Sequence, residues 1–286
     1  TSSDNMKIGV ITDSSCNLSL AYIENHDNLK MAPLMISFNG DFHRDLVEVD
    51  YKTVYSKLDS TKVTSSIPSR EDFENAVDEL KKDGYTDIIV ITISSGLSGT
   101  FNSFNTAAQD MEDINIHMYD SKTLSMALGY IVRKAIASIE EGKSVARIIA
   151  DLNQLRYEDS IALFTVETLK YLRQGGRIGK VEGTIGDFLS VKPVILVNDE
   201  GVYVTKSKGV GIKRTLMSMR KELKNKFNDD LIDVTIHYGN NIEKAENLKL
   251  KIEQSFNTKN VEMVQLTPVL GIHTGPEMFA IIAKRA

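Results

Sequence analysis

Apolar residues in the first half of the chain alternate between two patterns. Residues 88–93 form a nearly continuous, β-branched apolar run, which is typical of a strand buried on both faces of a parallel sheet. Residues 7–12 show the same pattern, whereas residues 73–80 carry apolar side chains at the i, i+3, i+4, i+7 spacing of a helix. Similar patterns predict a strand at 114–119 and helices at 49–58, 101–110, 124–141 and 145–155. This alternation predicts a parallel sheet with helices on its faces.

From residue 161 onward, the pattern predicts antiparallel neighbours. Residues 192–197 and 202–205 flank a turn at 198–201 and therefore indicate a hairpin. The remaining predicted elements are strands at 161–166, 231–238, 261–266 and 278–283, and helices at 167–174, 212–227 and 243–256. This mixture indicates a layered α+β arrangement.

These elements predict an α/β protein with two domains. Residues 6–160 are expected to form an N-terminal α/β/α domain with a mostly parallel sheet, and residues 161–286 a C-terminal, two-layer α+β domain with a mixed sheet. Asn39-Gly40, between two extended segments, predicts an antiparallel hairpin in the first domain. Residues 1–5, which precede Met6, resemble the remnant of a purification tag and carry no fold prediction.

Four hydroxyl-rich loops lie near the predicted strands of the first domain. The clearest, residues 94–100, opens a helix, where free N–H groups and the helix dipole favour an anion. The other three are Asp13-Ser14-Ser15, residues 64–69 and Asp120-Ser121. Because ligands bind beyond the carboxyl ends of parallel strands, we expect these loops to converge on one anion site. The alternative is that the same residues only cap helices and form turns.

The 94–100 loop does not match two catalytic motifs. A phosphate-binding P-loop needs a lysine after its last glycine, and Thr100 follows Gly99 instead. A hydrolase nucleophile elbow needs Gly-x-Ser-x-Gly, whereas Gly96-Leu97-Ser98-Gly99 closes one residue early. The loop therefore favours holding an anion over binding ATP or attacking a carbonyl group.

Composition and charge narrow the classes of partner. The 286 residues include 34 basic and 39 acidic side chains, well mixed, which gives a net charge of −5 and no basic surface for nucleic acid. Cys16 is the single cysteine, which excludes an internal disulfide and fits a reducing cytosol. No apolar run approaches the roughly 20 residues of an integral membrane segment. We therefore expect a cytoplasmic protein, and no residue spacing suggests a metal site.

Two isolated residues in the second half are candidates for binding. Arg177 lies in a glycine-flanked loop, where its guanidinium can meet an acidic or phosphate-bearing partner or simply complete the dipole of the preceding helix. His273 lies in what the sequence predicts to be a tight loop. It can donate a hydrogen bond to an anion if it faces the hydroxyl loops, and a structural role is the alternative.

Seven short motifs occur in the order and spacing of the DegV family, which the chain resembles over residues 6–286. They are Ile11-Thr12-Asp13-Ser14-Ser15, Ser65-Ser66-Ile67-Pro68-Ser69, Ser94-Ser95-Gly96-Leu97-Ser98-Gly99-Thr100, Asp120-Ser121, Gly175-Gly176-Arg177-Ile178, Lys192-Pro193 and His273-Thr274-Gly275-Pro276. The resemblance implies a bacterial carrier, not an enzyme, that encloses one long-chain fatty acid between its domains and uses no cofactor. It further implies a partner, the ATP-binding subunit of a fatty acid kinase, which converts the presented carboxylate into the acyl phosphate used in phospholipid synthesis.

The resemblance also assigns roles to five residues. Ser66 and Ser98 match the carboxylate-binding serines, and His273 matches the histidine that completes their network. Ser65 stands in the same site where threonine is usual, and Arg177 matches the arginine of the kinase-docking surface. A buried carboxylate needs several donors, and hydroxyl groups and helix N–H groups are such donors.

Two other positions depart from the family pattern, and two other functions stay open. Glu277 stands where a small residue is common, and Val210 stands where many members carry arginine. One alternative is an autonomous small-molecule kinase subunit of the dihydroxyacetone kinase type, which binds its substrate covalently through a histidine. The other is an acyl hydrolase, which requires an activated serine.

Overall fold

The computed structural model describes residues 6–181 and 190–286, and the predicted tag remnant at 1–5 lies outside these residues. The described strands are β1 (Ile8–Asp13), β2 (Leu29–Ala32), β3 (Met35–Phe38), β4 (Asp41–Arg44), β5 (Val63–Ser66), β6 (Asp87–Thr92), β7 (Asn115–Asp120), β8 (Ser160–Val166), β9 (Val191–Val197), β10 (Tyr203–Val210), β11 (Ile232–Tyr238), β12 (Thr258–Gln265) and β13 (Met278–Arg285). The described α-helices are α1 (Leu20–Glu24), α2 (Tyr51–Lys57), α3 (Arg70–Lys82), α4 (Thr100–Gln109), α5 (Ser125–Glu140), α6 (Val145–Asn153), α7 (Lys170–Gln174), α8 (Gly211–Phe227), α9 (Ile242–Ser255) and α10 (Pro268–Thr274).

A four-stranded parallel sheet, in the order β2-β1-β6-β7, forms the centre of the first half. Strand β6 is buried along its whole length because its apolar side chains meet helices on both faces. Ile88 and Val90 pack in one cluster with residues of α3 and α4, and Ile89 and Ile91 pack in another with residues of α5. The predicted parallel sheet with helices on both faces is confirmed.

A six-stranded mixed sheet, in the order β10-β9-β8-β13-β11-β12, forms the second half. Its neighbours are antiparallel except for the parallel pair β11 and β12. Alternate side chains of β13 point to opposite faces of the sheet. Phe279 and Ile281 pack with α8 and α9, whereas Ala280 and Ile282 face the first half of the chain. The mixed sheet is therefore also confirmed, and its second face is available to line a space between the two halves.

A small antiparallel sheet, in the order β4-β3-β5, lies beside this space. The predicted hairpin at Asn39-Gly40 is confirmed, because both residues have positive φ and β3 pairs with β4 across them. The prediction of a loop at 64–69 is wrong in part, because β5 pairs with β3, placing Ser65 opposite Ile36. Strand β5 has no apolar alternation, so its polar side chains gave no strand signal in the sequence.

The loop predicted around His273 is also wrong. Residues Pro268–Thr274 form α10, a seven-residue helix that begins with proline and ends before Gly275, which has a φ of 77°. Buried apolar side chains from both halves form one continuous cluster, so the domain boundary near residue 160 stays a prediction. Among the described helices, none has the length and apolar character needed to cross a membrane.

Candidate functional site

A cavity lies between the inner face of the mixed sheet and the loops of the first half. It contains about 860 Å³ of space free of protein atoms, including open solvent at its mouth. The cavity wall is mostly apolar, and its aliphatic and aromatic residues include Leu34, Ile67, Ile93, Leu97, Leu124, Ala162, Phe164, Val197, Tyr203, Leu266, Val269, Leu270, Met278, Ala280 and Ile282. Such a wall fits a long apolar ligand.

Polar groups from four segments distant in sequence join this wall. Strand β5 contributes Ser65 and Ser66, the loop before α4 contributes Ser98, the loop after α7 contributes Arg177, and α10 contributes His273. Within this set, the Ser65 Oγ atom lies 2.7 Å from His273 Nε2. The structure therefore brings all five candidate residues to one cavity, and it shows one direct hydrogen bond among them. We call these five residues the polar end of the cavity.

The His273 ring is neutral at physiological pH. Burial, and secondarily the positive charge of Arg177, lowers the pKa of His273 to about 3. The Nδ1 atom is buried and has no hydrogen-bond partner among the residues that the structure describes. Since an unpaired acceptor is tolerated better than an unpaired N–H, the favoured tautomer carries its proton on Nε2 and donates it to Ser65. The hydroxyl proton of Ser65 is then free to point to a ligand.

Ser98 lies at the start of α4, where the helix dipole is positive. Its Oγ lies 2.8 Å from Thr100 Oγ1 and accepts a 3.2 Å hydrogen bond from the Thr100 amide. The helix begins after Gly99, which supplies no side chain to cap the first N–H groups. The hydroxyl of Ser98 and the dipole of α4 can thus act together on an anion.

The guanidinium of Arg177 is only partly exposed, in contrast to the free surface position that the sequence suggested. Its Nη1 donates a 2.6 Å hydrogen bond to the Gly175 carbonyl at the end of α7, and its Nε donates a 3.3 Å bond to the Leu97 carbonyl. Arg177 lines both the cavity and an adjoining surface groove. It therefore completes the dipole of α7 and borders the site, and its role in docking a kinase stays a prediction.

Two of the four hydroxyl loops do not reach the cavity, so the predicted convergence is only half correct. Ser14 and Ser15 are buried, and their hydroxyl groups bond within the protein, Ser15 to Asp13 and Ser14 to the Leu34 amide. The Ser121 hydroxyl likewise donates to the Thr123 carbonyl. These loops follow β1 and β7, and their short side chains already form hydrogen bonds elsewhere in the protein.

Tyr203 and Ser125 are polar residues of the cavity wall that sequence reasoning missed. Tyr203 is 5% exposed. Ser125 begins α5 with a φ of 60°, a strained value for a residue other than glycine. An aromatic residue directly after the hairpin turn was the only sequence feature that could have pointed to Tyr203. A positive φ at Ser125 cannot be recognised from the sequence.

The two departures from the family pattern lie away from the cavity wall. Val210 is 58% exposed at the end of β10, and Glu277 bonds through its carbonyl to the Glu167 amide. Neither residue lines the cavity. Across residues 6–181 and 190–286, no three His, Cys, Asp or Glu side chains are grouped so that they could hold a metal ion.

Comparisons with known proteins agree with this geometry. A family model described as an uncharacterised protein of the DegV family matches residues 7–285. The chain belongs to the DegV family. A DegV domain-containing protein of Clostridium acetobutylicum is 34% identical over 276 residues, which is 96% of this chain and 98% of that protein.

Solved DegV structures share this fold. A fatty-acid-binding DegV family protein from Thermus thermophilus matches with a TM-score of 0.91 at 26% identity, covering 98% of this chain and 100% of that chain. A stearic-acid-binding protein from Eubacterium ventriosum matches with a TM-score of 0.86 at 27% identity, covering 98% of each chain. The α/β architecture with one parallel and one mixed sheet is therefore the DegV fold.

Proposed function

We propose that this DegV protein binds one long-chain fatty acid and presents its carboxylate to a separate, ATP-using fatty acid kinase. The acyl phosphate formed there would serve phospholipid synthesis in the cytoplasm. The observation that carries the proposal is a mostly apolar cavity whose polar end has three serine hydroxyl groups and a neutral histidine. The fatty acids bound by the Thermus and Eubacterium relatives support the same ligand class.

The polar end has the donors that a buried carboxylate requires. Ser65, Ser66 and Ser98 supply three hydroxyl groups, and Arg177 keeps N–H groups beyond the two that bond main-chain carbonyls. Hydrogen bonds to an ionised acceptor are shorter and stronger than neutral ones. The apolar wall meanwhile removes the acyl chain from water, at roughly 0.8 kcal/mol for each buried CH₂ group.

The carboxylate would also be accessible to a partner. Ser65, Arg177 and His273 line the internal cavity and the adjoining surface groove, whose other side is formed by residues such as Asp59, Lys62 and Tyr171. A ligand head group held by these residues would therefore lie near the protein surface. This arrangement suits transfer of a phosphoryl group by a separate enzyme, for which the chain itself carries no P-loop.

The Ser65–His273 pair resembles the nucleophile and base of a hydrolase, but its surroundings do not activate the serine. A catalytic histidine is oriented by a third group, usually a carboxylate, on its other ring nitrogen. Here Nδ1 meets no hydrogen-bonding group in the described parts of the chain, and a pKa of about 3 makes the ring a poor general base at neutral pH. The pair therefore serves binding better than acyl hydrolysis.

Denaturing extraction of the purified protein, followed by mass spectrometry, tests the binding step. We expect about one long-chain fatty acid per chain after expression in a lipid-rich host. Failure to recover fatty acid, together with no thermal stabilisation by added fatty acid, would contradict the proposal. The transfer step is tested separately by measuring acyl phosphate after adding the cognate kinase and ATP to the loaded protein.

A further inference from the structure

Asp45 is a completely buried carboxylate that none of the assigned roles uses. It follows β4, and it is 0% exposed. Its Oδ2 accepts a 2.7 Å hydrogen bond from the Thr267 hydroxyl, and its Oδ1 accepts a 3.0 Å bond from the Val269 amide. Both donors belong to the start of α10, so Asp45 caps the helix that carries His273 at its other end.

The small sheet thus holds α10 at both ends. Asp45, directly after β4, bonds the start of the helix, and Ser65 of β5 bonds His273 in the last turn. Strand β3 pairs with both β4 and β5, so the two attachment points belong to one rigid unit. Between them, Gly271 of α10 lies against the Tyr55 ring so closely that an added Cβ would come within 2.9 Å of it.

We infer that Asp45 is a positioning residue that sets the place of His273, and with it the geometry of the polar end. The effect on ligand binding rests on the proposed function. The effect on the position of α10 rests on the geometry alone. Asp45 has no cationic partner among the described residues, so the hydrogen bonds that compensate for its burial include those from the start of α10. Its hydrogen bonds to α10 give it a role.

The substitution Asp45→Ala tests the inference, because it removes both acceptors and leaves the Thr267 hydroxyl and the Val269 N–H without them. Asparagine would not serve, since its NH₂ group can donate to the Thr267 hydroxyl while its oxygen keeps the bond from Val269. The matched control is Asp87→Ala. Asp87 is also a buried carboxylate, but it begins β6 and bonds His117 and Thr86 at the opposite edge of the parallel sheet.

The first readout is the pKa of the His273 ring, measured by NMR titration without ligand. A displaced α10 exposes the ring, so Asp45→Ala should raise the pKa of His273 from about 3 toward its ordinary value of 6.5. Asp87→Ala should leave it unchanged. An unchanged pKa of His273 in Asp45→Ala would overturn the inference, whether or not the protein binds fatty acid.

The second readout is the dissociation constant for oleate, measured with lipid-free protein. Asp45→Ala should weaken binding about tenfold, comparable with the loss of one hydrogen bond to a charged group, and Asp87→Ala should not. If Asp45→Ala does not fold, Thr267→Val removes one donor only and should change both readouts in the same direction. If the wild type binds no oleate, the proposed function fails and the His273 titration alone decides this inference.

Discussion

The serine hydroxyl groups of the polar end should each contribute to ligand affinity. We expect Ser66→Ala and Ser98→Ala each to weaken fatty acid binding by about 1.5–3 kcal/mol, the value of a hydrogen bond to a charged group, and the double variant to be weaker than either. Ser121→Ala is the control, because this buried hydroxyl bonds Thr123 away from the cavity. Titration calorimetry of lipid-free protein measures the change, and full affinity in both single variants would remove these serines from the site.

Gly175 should be required because of its contact with His273. An added Cβ at position 175 would overlap with the Nδ1 atom of the His273 ring. We therefore expect Gly175→Ala to displace the ring, weaken the Ser65–His273 bond and lower fatty acid affinity. In a His273→Ala background the same change should be nearly neutral, because the colliding atoms are gone. Equal effects of Gly175→Ala in both backgrounds would show that the contact is irrelevant.

Asp45 should make the free energy of unfolding depend on pH, and comparison with Asp45→Asn should show this contribution. Burial raises the pKa of Asp45 from 3.8 to about 7. Folding therefore favours the protonated carboxyl group, and the stability that it provides is present at low pH and is lost as the pH rises through 7. Relative to Asp45→Asn, the wild type should lose on the order of 2–3 kcal/mol in unfolding free energy between pH 5 and pH 8. Urea unfolding measures this, and a difference that stays constant or grows with pH would contradict it.

A substitution in the loop after α7 can separate fatty acid binding from transfer of the fatty acid to the kinase. If Arg177 belongs to the kinase-docking surface, Arg177→Ala should keep its fatty acid yet slow acyl phosphate formation, and raised ionic strength should produce part of the same defect. Arg147→Ala, on the exposed face of α6, is the control. The measurement is the rate of acyl phosphate formation by the kinase as a function of the concentration of the loaded variant. If Arg177→Ala gives the wild-type rates, Arg177 is not part of the docking surface. If Arg177→Ala loses its fatty acid, the half-buried guanidinium belongs to the ligand site.

The elements that the sequence predicted best are those with strong apolar patterns. The strands β1 and β6 and the helices α3 and α5 were identifiable because burial on one or both faces dictates their side chains. Strand β5 and helix α10 were missed. Strand β5 is polar and pairs with β3, and the start of α10 donates a hydrogen bond to Asp45, which is more than 200 residues away in sequence. Long-range hydrogen bonds of this kind leave no local periodicity.

For the molecule as a whole, the site depends on how the two sheets face each other. The family motifs identified Ser65, Ser66, Ser98, Arg177 and His273, and the structure places all five at one cavity. The apolar wall was not predictable, because it combines single residues from distant elements, such as Leu34, Phe164 and Ala280. Small side chains on the inner face of the mixed sheet leave space there, and only the assembled fold shows which alanines these are.

The most direct measurement of the central claim compares oleate with methyl oleate by titration of the lipid-free protein. The two ligands share one acyl chain, and only oleate carries a carboxylate for the polar end. We predict one oleate per chain and at least about tenfold weaker binding of the ester, which loses charge-assisted hydrogen bonds to the serine hydroxyl groups. Equal affinities for the two ligands, or no saturable binding of oleate, would contradict a site that encloses the chain and recognises its carboxylate.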